Sequence, residues 1–116
     1  MSLERIFKAL VSLGLSQNDA RVYVHLATAG PATSRSIISN LTINKRQIYR
    51  SLKALQERGI AFENHEHPTE FSAVSFDKAL DVLLEVKKEQ AKSLEASKAE
   101  LILDFQTEKK KFKDSN

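Results

Sequence analysis

The sequence predicts a mainly α chain with a small β-hairpin, closed by a long C-terminal helix. Three observations point there. Glycine (3) and proline (2) are scarce among 116 residues, a composition that favours helices over a β-sandwich. Apolar residues recur at helical spacing through the first half and switch to alternation after Gly59. A third pattern, a charged stretch with a heptad-like apolar stripe, continues for more than thirty residues after Ser75.

Each element carries local signals. Leu3 to Leu13 reads as a helix with Ile6, Leu10 and Leu13 on one side, and Gly14 ends it. Ser16 caps a second helix, with Asp19 favourably placed near its positive end. Ala20, Tyr23, Val24 and Ala27 mark its buried side, and Gly30-Pro31 breaks it. Thr33 or Ser34 caps a short third helix that presents Ile37, Ile38 and Leu41 inward. Asn44 caps a fourth, with Gln47 three residues on as in a capping box. Ile48, Leu52 and Leu55 form its inward stripe, and Gly59 stops it. "IAFENH" and "TEFSAV" alternate around a Pro-containing turn and read as a hairpin, with Ile60 and Phe62 expected on one face of the first strand and Phe71 and Ala73 on one face of the second. Ser75 caps the final helix, with Asp77 in its first turn.

Helices two to four followed by a hairpin make a winged helix-turn-helix, in which the fourth helix, residues 44–58, is the recognition element. The expected core is Tyr23, Leu26, Ile37, Ile38, Leu41, Ile48, Leu52, Leu55, Ile60, Phe62 and Phe71. Residues 1–76 are expected to form the winged helix-turn-helix DNA-binding domain, and residues 77–116 a long amphipathic helix.

Charge is distributed unevenly. Residues 34–58 hold six basic side chains against one acidic, whereas residues 59–76 hold three glutamates and no Lys or Arg. The whole chain carries only +3, so its positive field is local, as on a nucleic-acid surface. Helical spacing puts Lys45, Arg46, Tyr49, Arg50 and Lys53 opposite the apolar stripe. Arg pairs bidentately with guanine and Gln with adenine, so Lys45, Arg46, Gln47 and Arg50 are the base-reading candidates. Lys53 suits a phosphate, as do Thr33, Ser34 and Arg35 at the start of the third helix, and Asn44 belongs to the same surface. Tyr49 suits the backbone, a thymine methyl or half-buried packing. The expected partner is double-stranded DNA.

The "VY" followed by "AGPAT", the run "NKRQIYRSLKALQERGI" and the close "PTEFSAVSFDKAL" resemble the DNA-binding region of the archaeal TrmB-type transcriptional regulators. The resemblance covers roughly residues 15–90. It implies a sequence-specific, usually dimeric DNA-binding protein. The best-known members carry a large C-terminal sugar-binding domain. Here the long helix stands in that place, as a short form, so effector sensing is not implied. The hairpin is also acidic.

The long helix needs a partner to cover its stripe. Numbering a heptad places Leu80, Leu84, Ala91, Leu94, Leu101 and Phe105 on the seam, interrupted by Lys87, Lys98 and Glu108. A second copy is the expected partner, giving a homodimer, with parallel and antiparallel pairing both open. The competing function is a winged-helix protein–protein adaptor, which an acidic hairpin suits.

Other chemistries find little support. No cysteine is present, which excludes disulfides and thiol nucleophiles. Glu63, His65 and His67 share a strand face by period two, but no fourth ligand is evident and no metal is assigned. There is no phosphate-cradling glycine loop and no catalytic set, so neither an enzyme nor a cofactor is expected. No small-molecule ligand is evident. The apolar runs are too short to span a bilayer, and the expected location is the cytoplasm.

Overall fold

The computed structural model describes residues 2–66 and 68–115. The elements follow in the order α1 (Ser2–Ser12), α2 (Gln17–Ala29), α3 (Ser34–Asn40), α4 (Lys45–Glu57), β1 (Ala61–Asn64), β2 (Glu70–Ala73) and α5 (Phe76–Ser115). The chain divides into two units, Met1–Leu84 and Glu85–Asn116.

Three helices start where a side chain satisfies an otherwise orphaned amide. Ser16 accepts from the Asp19 N–H, Thr33 from the Ser36 N–H and Asn44 from the Gln47 N–H. Each cap is worth about 1 kcal/mol. Helix α4 ends in a Schellman turn. Gly59 takes φ +78°, a left-handed conformation that suits glycine. The Gly59 N–H then reaches the Gln56 carbonyl at 3.0 Å and the Ile60 N–H reaches Leu55 at 3.1 Å. The chain thereby leaves the helix with Ile60 already buried.

The core of the first unit gathers Leu10, Leu15, Val22, Tyr23, Leu26, Ile37, Ile48, Leu52, Leu55, Ile60 and Phe71. Ile38 and Leu41 lie half-buried at its margin. The first turns of α5 belong here too, because Ala79 and Leu83 are fully buried one helical turn apart. Leu80 is half-buried and Leu84 exposed.

Strands β1 and β2 pair antiparallel, with Ala61 opposite Ala73, Phe62 opposite Ser72 and Glu63 opposite Phe71. This register corrects one expected core position. Phe62 is 53% exposed, while Ala61 is buried. Ile60 lies in the bend before the strand and is buried by the helix end. The strand's own alternation starts at Ala61 and turns Phe62 outward.

A further rung was not legible in the sequence. Ala32, between α2 and α3, bridges to Phe71, whose N–H and C=O both pair with it at 2.8 and 3.0 Å. The buried Tyr23 hydroxyl donates to the Val74 carbonyl at 2.7 Å. The hairpin is therefore tied to the helices by backbone and side-chain bonds. At the start of α5, the Ser75 hydroxyl donates to the Asp77 carboxylate and holds its pKa below the usual value.

Ser51 is the odd member of the α4 interior. It is fully buried, and its hydroxyl has no hydrogen-bond partner among the described residues. A buried, unpaired hydroxyl costs about 1–3 kcal/mol. Ser51→Ala should therefore raise stability by about 1 kcal/mol in chemical denaturation, helped by alanine's helix propensity. Its neighbour behaves oppositely: Leu52→Ala should lose about 2–5 kcal/mol in the same measurement.

Burial first, and the Asp77 carboxylate second, raise the Tyr23 phenol above its ordinary value. The folded state therefore holds this proton more tightly than the unfolded state. Its contribution to stability is intact below the ordinary value of 10.0 and lost as pH climbs above it. Tyr23→Phe should flatten that alkaline limb in a series of denaturation curves, while lowering stability at neutral pH by about 1 kcal/mol.

Candidate nucleic-acid interface

Helix α4 has one dry side and one wet side. Ile48, Ser51, Leu52 and Leu55 are buried against the other helices. Asn44, Lys45, Arg46, Tyr49, Arg50 and Lys53 are exposed, and Gln47 is half-buried. Among the described residues, none of the four cations on this face pairs with a carboxylate. The ion pairs lie elsewhere, at Lys8–Glu4, His65–Glu63 and Lys111–Glu108. Those four side chains thus keep their charge and their donors for an external anion.

Tyr49 organises the face. Its hydroxyl lies 3.2 Å from the Ser34 hydroxyl, which joins α4 to the first turn of α3. The Lys45 ammonium sits 6.0 Å from the Tyr49 ring centroid, within reach of a cation–π attraction. Ser34, Lys45 and Tyr49 therefore form one connected patch. Arg35 is exposed beside it. Thr33 and Asn44 are partly engaged, since each side-chain oxygen caps its own helix.

Arg58 differs from the other cations of this segment. Its guanidinium Nη2 donates to the Gly14 carbonyl at 2.8 Å, across 44 residues of sequence. It fastens the end of α4 to the turn between α1 and α2. No local signal distinguishes it from Arg50, because its acceptor is a distant backbone carbonyl.

The hairpin stands apart chemically. His65 Nδ1 lies 3.3 Å from Glu63, so these two of the three residues read as sharing a face do meet. His67 lies outside the described residues. Among the described residues there is no cluster of three or more histidine or acidic side chains able to hold a metal. Phe62 stands outward on the same hairpin. No helix among the described residues is long and apolar enough to cross a membrane.

A family model described as "Sugar-specific transcriptional regulator TrmB" matches residues 10–77. The chain belongs to the TrmB family of transcriptional regulators. The match spans the winged helix-turn-helix and stops at the beginning of α5. No curated protein matches this TrmB-family chain. Solved structures show the same fold at low identity. The chain superposes on TrmBL2, described as an archaeal chromatin protein with a novel mode of DNA binding, at TM-score 0.77 and 22% identity. That match covers 90% of this chain but 41% of TrmBL2, so the chain spans less than half of that relative's length. The ST1889 protein of the thermoacidophilic archaeon Sulfolobus tokodaii gives TM-score 0.64 at 22% identity, covering 80% of this chain and 98% of its own. An ArsR-like transcriptional regulator from Rhodococcus sp. RHA1 gives TM-score 0.54 at 16% identity, covering 85% of this chain and 95% of its own.

Arg58→Ala tests the division of labour within the basic segment. It should lower stability by about 1 kcal/mol, toward the low end for a bond to a charged group because the site is exposed. The change in affinity for any polyanion should be small beside that of Arg50→Ala.

Proposed function

We propose that the chain is a sequence-specific, double-stranded DNA-binding regulator that acts as a homodimer, with α4 in the major groove. One observation carries the reading. Lys45, Arg46, Arg50 and Lys53 project from a helix whose opposite side is sealed into the core, and none has a carboxylate partner among the described residues. Family membership and the DNA binding named for TrmBL2 support it. Lys45, Arg46, Gln47 and Arg50, near the N-terminal end of α4, read base edges. Asn44 lies at that end as well. Thr33, Ser34, Arg35 and Lys53 hold phosphates, with Tyr49 packed between the two helices.

The dimer forms through the C-terminal helix, along Leu80, Leu84, Ala91, Leu94, Leu101 and Phe105. Two copies then address half-sites one helical turn (about 34 Å) or a multiple of it apart on a near-palindromic operator. A second reading, a protein-docking adaptor, draws on one observation: the outward Phe62 on a hairpin region with no Lys or Arg.

Selection of bound duplexes from a random pool should return a two-fold-related site. On that site, Arg46→Ala or Arg50→Ala should cost about 1–3 kcal/mol, with a smaller loss on unrelated duplex. Lys53→Ala should weaken both alike and reduce the slope of log affinity against log salt by about 1. Titrations by fluorescence anisotropy at several salt concentrations measure all three variants. Absence of binding to every duplex at low ionic strength would overturn the DNA reading in favour of the adaptor.

A further inference from the structure

The exposed side of α5 beyond Leu84 carries a period longer than a heptad. Ala91 and Ile102 are eleven residues apart, and so are Leu94 and Phe105; the same spacing runs back to Leu80 and to Leu83, which belong to the first unit. Lys87, Lys98 and Lys109 repeat with the same spacing. Eleven residues make three turns at about 3.67 residues each, so every such row drifts by only about 20° per repeat, in the sense opposite to a heptad's. What a heptad treats as interruptions becomes a row of its own, and Glu108 moves to the margin of the stripe.

Within this unit Leu94, Leu101, Ile102 and Phe105 are between 49% and 71% exposed, too much apolar surface on one face to leave in water. The lysines among them restrict how a second copy can cover it. Parallel, in-register pairing sets Lys87 against Lys87 and Lys98 against Lys98, like charges inside an apolar seam. Antiparallel pairing removes both clashes if the two-fold axis passes at the level of Ala96 and Ser97. Ala91 then faces Ile102, small against large. Glu95 faces Lys98 twice, once on each side of the axis. Lys87 faces Gln106 and the neighbouring Phe105 ring, where a cation is tolerated.

We infer that α5 pairs antiparallel with α5 of a second copy, in this register, as a pair of helices wound gently right-handed. The inference rests on the homodimer reading above and adds to it an orientation and a set of residue contacts. The lysine row sets orientation and register, as polar seam positions do in coiled coils, at some expense of affinity.

The chain contains no cysteine, so introduced cysteines report without background. Ala91→Cys and Ile102→Cys are both at exposed positions and should leave the fold intact, which circular dichroism verifies. Under mild oxidation, an equimolar mixture of the two variants should form disulfide-linked dimers at least tenfold faster than either variant alone. In the inferred register the thiol of the Ala91→Cys variant sits beside the thiol of the Ile102→Cys variant across the seam. In a dimer of either variant alone, the two thiols lie about 16 Å apart along the axis, beyond disulfide reach. Rapid cross-linking of Ala91→Cys by itself, or a sedimenting dimer that cross-links in neither case, overturns the register while the dimer stands. A monomer in sedimentation at tens of micromolar overturns the dimer reading itself.

Discussion

A helix that must hide one side from water has no choice about what it does with the other. This constraint on α4 governs the domain. Ile48, Leu52 and Leu55 are essentially inaccessible to solvent. Their burial fixes the rotation of the helix about its axis, because a turn of one residue would move them through about 100°. The charged set between Lys45 and Lys53 is oriented outward by the same act. Surface chemistry and core packing are therefore one decision here.

That rotation would count for little if α4 could shift as a body. Two ties hold it, and a third fixes the hairpin to the helices around it. Arg58 fastens its C-terminal end to the α1–α2 turn. The Tyr49 and Ser34 hydroxyls join its outer face to α3. Ala32 and Phe71 exchange two backbone bonds, which locks the hairpin to the segment between α2 and α3. Each tie links residues far apart in sequence, and each is a hydrogen bond with a direction. Apolar burial supplies most of the cohesion but is not directional. The specific bonds define the arrangement.

Charge is segregated with the same economy. The α3–α4 segment is strongly basic, the hairpin acidic and α5 balanced. In the proposed DNA-binding reading, a basic helix beside an acidic hairpin would confine the attractive field to the helix-turn-helix. Phosphate attraction is long-ranged at low salt, so in that reading a neighbouring negative lobe would help orient an approaching duplex. The balanced α5 carries its information in pattern rather than in net charge.

Much of this was legible in the sequence because it is local. A cap such as Asn44 acts three residues away, a glycine such as Gly59 acts on its own backbone, and the stripe from Ile48 to Leu55 repeats within one helix. Family membership and the basic α4 face were legible for the same reason: they depend on order and spacing along a short segment. What sequence alone could not decide depended on partners tens of residues distant. Phe62 and Ala61 compete for the inside of one strand, and alternation does not say where that strand begins. The pairing with β2, and the tie from Phe71 to Ala32, settled it. Arg58 looks like its basic neighbours until Gly14 comes within reach. The stripe of the long helix reads through Leu80 and Leu84, and nothing local says that the core beside it takes Ala79 and Leu83 instead. Local physics repeats along the chain and can be read there, whereas long-range contacts exist only once the chain has closed on itself.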